Sequence, residues 1–421
     1  MDQGPGTRDL KNKKVLVVGF GKSGQAVLRF LLKQGVRPAV TDLQNEKVLA
    51  PVMKPFKGFP VDWFLGSHPL EVFESADLIV VSPGVPINTE PLKTAKQKGI
   101  PVISELELAL RVRGPWSVVR GPSVQVPSPW SVVRGPSVIA VTGTNGKTTT
   151  ATLIHHLLTA AGKKSLLAGN VGRPLIDCLD ALSKTQFLVL EVSSYQMETT
   201  PSLKPDAALL LNITEDHLHW HESFAAYAAA KAKLIQQAAP GGSVIYNQED
   251  SLASQIAERI PARRFPFSSR RQLKLGGWVD EGKLYLKTEP KSQPKVFDLN
   301  KTKLKGIPGW ENMLAALLAV SPYVEEVGCL QKGLETFVPL PHRMQIVKEK
   351  KGVTYINDSK ATNVGAAVKA LAGVAGPVLW IAGGQDKGGS YDPLKEWVKK
   401  KSAAPIFWGR RRQNWEKFLR G

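Results

Sequence analysis

The stretch Val138-Ile139-Ala140-Val141-Thr142-Gly143-Thr144-Asn145-Gly146-Lys147-Thr148-Thr149-Thr150 decides the reading of this chain. Its first four residues are an apolar run of the kind that forms a buried strand. Gly143-Thr144-Asn145-Gly146 is a tight turn, and Lys147 to Thr150 leads into a helix-forming segment, Ala151 to Ala161. Strand, glycine turn, Lys-Thr and helix in that order make a phosphate-binding loop. The glycines let backbone N–H groups close on phosphate oxygens, and the helix N-terminus adds partial positive charge. Lys147 is expected to reach the outer phosphates, and the Thr148 hydroxyl to ligate Mg²⁺. The longer pattern G-x-x-x-x-G-K-[ST] is not met, because Val141 holds its first glycine position. What remains is the shorter G-T-N-G-K-T.

Composition narrows what such a loop can serve. A chain of 421 residues with 43% hydrophobic and 22% charged residues can build several globular cores. Two cysteines, Cys178 and Cys329, cannot make a disulfide framework, so buried free thiols in a reducing compartment are expected. No run of 18 apolar residues is present, which argues against membrane insertion. The net charge of +20 is spread along the chain, apart from Lys399-Lys400-Lys401 and Arg410-Arg411-Arg412. With no zinc-finger spacing or aromatic-interleaved basic motif, it points to polyanionic small substrates rather than to nucleic acid.

Strand-like and helix-like runs alternate, which implies an α/β fold with mainly parallel sheets. Three blocks separate: residues 1–113, 138–340 and 341–421. Between the first two, Pro115-Trp116-Ser117-Val118-Val119-Arg120-Gly121-Pro122-Ser123-Val124 recurs unchanged from Pro129 to Val138. Two copies are too few for a solenoid, so residues 114–137 read as a duplicated Pro/Gly/Ser linker. The second copy runs straight into the phosphate-loop strand, which leaves the first as the surplus one.

In the first block, Val15-Leu16-Val17-Val18 precedes Gly19-Phe20-Gly21-Lys22-Ser23-Gly24, and Thr41-Asp42 ends a second strand some twenty residues on. This is the dinucleotide fingerprint, with the acid placed for a ribose hydroxyl. Alone it suggests NAD; the same helix N-terminus accepts other nucleotides, a UDP-sugar among them. Ser82-Pro83-Gly84 follows a third apolar strand, at the carboxyl end where open sheets bind ligands.

In the central block, Gly169-Asn170-Val171-Gly172 is a polar turn suited to substrate or phosphate. Glu191 lies in the apolar run Phe187 to Val192, where a carboxylate needs either an ion-pair partner or a metal such as Mg²⁺. His217, His219 and His221 alternate, but no Cys is near and the nucleotide site already calls for Mg²⁺. His217 is therefore read as a Mg²⁺-site or phosphate-contacting residue rather than a zinc ligand. Lys231 and Lys233, on an alanine-rich helix, read as solvated surface from the sequence pattern.

Taken together these residues resemble the Mur ligases of peptidoglycan synthesis. G-T-N-G-K-T is shared with folylpolyglutamate synthetases. The discriminating stretch is Asn357-Asp358-Ser359-Lys360-Ala361-Thr362-Asn363, which resembles the D-glutamate-adding branch and speaks against a sibling ligase for another amino acid. Ser104-Glu105-Leu106-Glu107 and Leu190-Glu191-Val192-Ser193-Ser194-Tyr195-Gln196 agree with it. The resemblance implies three domains: an N-terminal Rossmann-like domain, a central P-loop ATPase-type domain and a C-terminal Rossmann-like domain.

It further implies a cytoplasmic, monomeric enzyme that uses ATP, two Mg²⁺ ions, UDP-N-acetylmuramoyl-L-alanine and D-glutamate. Gly19, Gly21, Ser23, Gly24, Thr41, Asp42, Ser82, Pro83, Gly84 and Asn170 would hold the UDP-sugar. Gly143, Thr144, Asn145, Gly146, Lys147, Thr148, Thr149, Asn312 and Arg343 would hold ATP. Thr148, Glu191, His217 and Lys231, the last as a carbamate formed with CO₂, would hold metal. Lys360, Thr362 and Lys387 would face D-glutamate. Lys147, His217, Lys231, Arg343 and Lys387 would carry catalysis.

The family carries a further Ser-Pro-x-x-x-Ser-x-Asp-x-Phe segment after a stretch like Ala404 to Gly409, whereas this sequence stops at Gly421. The third block is therefore expected to be incomplete, with strand candidates at 353–356, 378–382 and 406–408. The alternative to an active ligase is a nucleotide-binding remnant with little turnover.

Overall fold

The computed structural model describes residues 7–113, 135–374, 376–383 and 390–408. These fall into two compact units. One contains the chain up to Ala140, with Lys164–Asp206 and Gln237–Gly242; the other contains Val141–Lys163, Ala207–Gln236 and the chain from Ser243 onward.

The first unit begins with β1 (Val15–Val18), β2 (Ala39–Asp42), β3 (Asp62–Leu65), β4 (Leu78–Val81) and β5 (Val102–Ser104). They form one sheet in the order β3-β2-β1-β4-β5, all parallel. β1 and β4 are buried at every residue, as a parallel strand covered on both faces requires. The order reverses direction between β1 and β4, the switch point at which open α/β sheets bind ligands. The same unit holds the start of β6 (Ser137–Thr142), with β7 (Ser165–Gly169) and β8 (Phe187–Glu191), in the order β6-β8-β7. Ser137 donates its N–H to Gln186 O at 2.8 Å, and Val138 donates to Asp206 Oδ2 at 2.7 Å. The end of the second repeat copy is therefore built into β6. Most of the duplicated linker, residues 114–134, lies outside the described residues.

Two carboxylates lock the Glu105–Arg113 helix within this unit. Glu107 accepts from Arg111 Nε at 2.7 Å and from the N–H and hydroxyl of Ser202 at 2.9 and 2.7 Å. Glu105 accepts from Ile176 N–H at 2.7 Å through Oε1, while its buried Oε2 has no partner among the described residues. Burial, with Asp177 nearby, pushes the Glu105 carboxyl up to about 7 against the pull of the Ile176 and Leu175 N–H groups.

Between pH 4.5 and about 7 the folded chain then keeps a proton that the unfolded chain has lost, so stability falls as pH rises through that window. Glu105→Gln mimics the protonated acid. It is expected to remove this dependence, matching the parent at pH 4 and exceeding it by about 2–3 kcal/mol at pH 8. Urea denaturation at the two pH values checks this, and equal destabilisation at both would refute it.

The second unit carries β9 (Ala207–Leu210), β10 (Ser243–Asn247), β11 (Arg263–Ser268), β12 (Gly276–Asp280), β13 (Lys283–Lys287) and β14 (Lys295–Asp298). They run in the order β14-β13-β12-β11-β10-β9, parallel from β9 to β12 and antiparallel from there to β14. The Gly306–Val320 helix, buried along most of its length, packs on this sheet and on the Lys147–Ala160 helix. No helix among the described residues is long and apolar enough to cross a membrane. Cys178 and Cys329 are both free; Cys178 is buried as expected, whereas Cys329 is only half-buried.

Beyond Leu340 the second unit adds β15 (Gln345–Lys350), β16 (Val353–Asn357), β17 (Val378–Gly383) and β18 (Ser402–Trp408). β15 and β16 pair antiparallel, and β17 and β18 pair parallel. The strand candidates at 353–356, 378–382 and 406–408 fall on β16, β17 and β18, and β15 is an addition to them. It exists because Lys351 and Gly352 both take positive φ, 51° and 76°, as the two-residue loop of a tight hairpin. The Val364–Gly373 and Asp392–Lys401 helices pack together over Leu371, Leu394 and Val398. Ile346, Val347, Leu379 and Ile381 are exposed.

Candidate active site

The glycine loop after β1 is held shut by local contacts in the first unit. Gly19 has φ 86°, and a Cβ there would lie 2.8 Å from Val85 Cγ2. A Cβ on Gly24 would lie 2.0 Å from Gly19 O, so both positions demand glycine. Ser82 donates its hydroxyl to Gly19 O at 2.8 Å, joining the ends of β1 and β4. Gly21 and Gly84 are exposed, Ser23 and Pro83 half-buried.

Asp42 and Thr41 face inward. The Asp42 carboxylate accepts from Phe20 N–H at 2.7 Å and Gln44 N–H at 2.8 Å. Thr41 is fully buried, donating its hydroxyl to Ser67 O at 3.0 Å, with His68 Nδ1 at 2.8 Å. Burial pulls the His68 imidazole below its ordinary value, against the opposing pull of Asp42. Both residues thus shape the loop through protein partners.

In the same unit, Asn170 donates Nδ2 to Glu191 Oε1 at 2.7 Å, and its N–H to Glu191 O at 2.9 Å. Gly169 makes this approach possible, since a Cβ there would fall 2.4 Å from Glu191 O. Glu191 is 1% exposed, and its Oε2 has no hydrogen-bond partner among the described residues. A buried carboxylate oxygen without a donor is costly, and a cation is the partner that satisfies it.

The phosphate loop lies in the second unit. Gly143 (φ 155°) and Gly146 (φ 85°) bend it, and a Cβ on Gly146 would lie 2.4 Å from Asn312 Oδ1. The Lys147–Ala160 helix starts directly after Gly146, four residues earlier than composition alone suggested. Its N-terminal N–H groups therefore face the loop. Asn212 braces the turn, accepting from Asn145 N–H at 2.8 Å through its side chain and from Thr144 N–H at 2.9 Å through its backbone. Thr144 Oγ1 accepts from Tyr227 OH at 3.0 Å and from Thr214 N–H at 3.0 Å. Thr149 is buried in the first turn of the helix. Thr150 donates to Asn312 Oδ1 at 3.1 Å.

Three cationic side chains converge on this loop. Lys147 Nζ donates to Gly143 O at 2.8 Å and Thr144 O at 2.9 Å. Lys231 Nζ donates to the same Gly143 O at 2.8 Å and stands 4.4 Å over the Tyr227 ring. Arg343 donates to Thr148 Oγ1 at 2.9 Å. Lys231 is 1% exposed, which overturns the surface reading of its alanine-rich helix. Two ammonium groups on one carbonyl, with a guanidinium and a helix N-terminus beside them, make a site for a polyanion.

His217 sits in the left-handed region at φ 56°, its Nε2 3.5 Å from Asp216 Oδ2. The His221 ring lies 5.2 Å from that of Tyr227. Among the described residues no group of three or more His, Cys, Asp and Glu side chains forms a metal cage. The side chain of His219 lies outside the described ones.

The Asp358–Asn363 segment begins beside Arg343. Asp358 accepts from Met344 N–H at 3.0 Å; burial pushes its carboxyl up, while that N–H and Arg343 pull it down. Lys360 and Thr362 are exposed, and Lys387 lies outside the described residues. Asn212, Asp216, Tyr227 and Asn363 build the site without having been singled out. The first two stand five and one residues before His217, and Asn363 closes the discriminating motif; Tyr227 has no sequence signal.

One unit carries a strand-loop-helix nucleotide site and the other a dinucleotide-type sheet, two parts expected of an ATP-dependent ligase, and the comparisons agree. The model of the Mur ligase middle domain matches residues 141–320, and that of the Mur ligase MurD-like N-terminal domain matches residues 13–104. The chain belongs to the Mur ligase family.

Within that family it is similar to UDP-N-acetylmuramoylalanine–D-glutamate ligases. The one from Geotalea uraniireducens is 38% identical over 393 residues, 93% of this chain and 82% of the relative. The one from Pelotomaculum thermopropionicum is 38% identical over 96% of this chain and 84% of the relative. In fold the chain resembles the pseudomurein peptide ligase type C from Methanothermus fervidus (TM-score 0.52, 18% identity, 97% of this chain and 90% of that one). It also resembles a MurF ligase from Thermotoga maritima in complex with ADP (TM-score 0.53, 16% identity, 98% of this chain and 89% of that one).

Proposed function

We propose that this chain joins D-glutamate to UDP-N-acetylmuramoyl-L-alanine in an ATP-driven step of peptidoglycan precursor synthesis. The observation that carries the reading is the convergence of Lys147, Lys231 and Arg343 on the Gly143–Thr148 loop. A nucleotide-binding remnant without turnover is not favoured by a likeness to D-glutamate ligases that runs through 93% of the chain.

Hydroxide is a poor leaving group, so the alanyl carboxylate needs activation before an amine can displace its oxygen. An oxygen of that carboxylate attacks the γ-phosphorus and ADP departs, leaving an acyl phosphate. Lys147 and Arg343 neutralise charge on the polyphosphate, and the loop N–H groups position it. The D-glutamate amine then attacks the acyl carbon, a tetrahedral intermediate forms, and phosphate leaves as the amide closes. Gly19, Gly21, Ser23, Gly24, Ser82, Pro83 and Gly84 are proposed to seat the UDP part, with Thr41 and Asp42 shaping their loop, and Asn170 to meet the muramoyl peptide. Thr149 and Asn312 complete the ATP site; Lys360, Thr362 and Lys387 face the D-glutamate carboxylates. The enzyme is proposed to act as a cytoplasmic monomer.

Thr148, Glu191, His217 and a carbamylated Lys231 are the groups proposed to hold two Mg²⁺ ions, which supply charge neutralisation on the transferring phosphoryl group. The unpartnered Glu191 Oε2 supports this, as does the crowding of two ammoniums on Gly143 O. Carbamylation with CO₂ turns that like-charged pair into an attractive one.

Phosphate release from ATP with UDP-N-acetylmuramoyl-L-alanine tests the function: release is expected to depend on D-glutamate, and absence of release with or without it would refute the reading. Lys231→Ala, or removal of CO₂, is expected to lower the rate about 10²-fold, with acetate or formate restoring part of the loss in the variant. An unchanged rate would refute the carbamate.

A further inference from the structure

Asn363 makes a set of contacts that its motif neighbours do not. Its side-chain Oδ1 accepts from Ala366 N–H at 2.8 Å, capping the Val364–Gly373 helix. Its Nδ2 donates to Asn145 Oδ1 in the phosphate loop at 3.1 Å and to Asp216 Oδ2 at 2.9 Å. Asn145 returns a longer contact from its own Nδ2 to Asn363 Oδ1, at 3.4 Å. Asp216 is in turn the neighbour of His217. Close packing backs the arrangement: a Cβ on Gly365 would stand 3.1 Å from Thr214 Oγ1 and 3.7 Å from Asn145 Nδ2.

One amide therefore touches the phosphate loop, the acid beside His217 and the start of the helix that follows Lys360 and Thr362. Carboxamides suit this role because each offers a donor and an acceptor at once. A carboxylate here keeps the cap but loses the donor and faces Asp216; an alanine loses both.

We infer that Asn363 is a positioning residue that couples nucleotide occupancy of the phosphate loop to the placement of the amino-acid-receiving segment, residues 358–363. Phosphate bound at the loop orders Asn145, Asn145 orders Asn363, and Asn363 carries Lys360 and Thr362 with it. The inference rests on the ligase reading for the identity of the amino acid, but its physical content is a coupling that binding alone reports.

The experiment is hydrogen exchange of the full chain with and without Mg²⁺ and the non-hydrolysable ATP analogue adenylyl imidodiphosphate, in the parent, Asn363→Ala and Asn363→Asp. In the parent, the analogue is expected to slow exchange in peptides covering 143–150 and also 358–370. In both variants the first response is expected to persist and the second to disappear. Asn363→Asp retains the helix cap, so loss of the second response there separates coupling from helix stability. With active enzyme, the KM for D-glutamate is expected to rise about tenfold or more in both variants, while kcat changes less than about threefold. A 358–370 response equal in parent and variants overturns the inference and leaves the ligase reading standing. No response at 143–150 in the parent overturns the nucleotide reading and the inference with it.

Discussion

Lys147→Ala is expected to lower kcat for D-glutamate-dependent phosphate release by about 10³-fold, equivalent to roughly 4 kcal/mol of transition-state stabilisation. Lys147 opens the helix at the phosphate loop and donates to Gly143 O and Thr144 O. These carbonyls hold its ammonium at the loop proposed to take the outer phosphates. In the transition state negative charge spreads over the transferring phosphoryl oxygens, and a fixed point charge stabilises it more than it stabilises bound ATP. Lys147→Arg is not expected to rescue, because a planar guanidinium cannot keep both carbonyls at ammonium distance while reaching the phosphate. Half-buried Lys147 carries little of the fold, so the thermal midpoint is expected to move only a few degrees. Steady-state kinetics and a thermal melt check both parts; a loss of less than tenfold would contradict the assignment.

The second large effect is expected at Glu191, and its sign on stability differs from its sign on rate. Glu191→Gln preserves shape and the contact to Asn170 Nδ2, but replaces the unpartnered Oε2 with an amide N–H₂ group. If this carboxylate serves a metal, the variant is expected to need far more Mg²⁺ and to lose about 10²–10³-fold in kcat at ordinary Mg²⁺. Because no protein donor satisfies Oε2 among the described residues, stability without Mg²⁺ is expected to hold or rise. A buried structural ion pair behaves oppositely: breaking one costs about 3–5 kcal/mol. Mg²⁺ titration of rate, paired with urea denaturation in chelator, distinguishes the two. A variant that is destabilised but normally active would contradict the metal role.

How much of this was legible in the sequence follows from where each interaction is encoded. The phosphate loop was readable because its requirements are local: Gly143 and Gly146 take positive φ, and Lys147 follows directly. The burial of Glu191 was readable from its apolar run, Phe187, Leu188, Val189 and Leu190, whereas its partner was not. The dinucleotide fingerprint predicted the glycine turn correctly. It did not reveal that Asp42 spends two hydrogen bonds on Phe20 and Gln44 N–H groups, a choice made by tertiary closure.

Lys231 illustrates the limit of pattern reading. The Phe224–Gln236 helix is rich in alanine, so no polar face marks which side is inside, and only packing places Lys231 over Tyr227. β15 escaped notice because Gln345-Ile346-Val347-Lys348-Glu349-Lys350 offers two apolar residues; its turn, not its pattern, makes it a strand. Asn363 was quoted as part of a motif, yet its contacts to Asn145 and Asp216 span 218 and 147 positions. Such pairings lie beyond any local rule.

The central claim is that the alanyl carboxylate is phosphorylated before it is aminated. UDP-N-acetylmuramoyl-L-alanine labelled with ¹⁸O in that carboxylate tests it directly, with ATP and D-glutamate supplied and the released phosphate read by ³¹P NMR. One ¹⁸O per phosphate, in step with amide formed, is the predicted result. Unlabelled phosphate accompanying amide formation would contradict it.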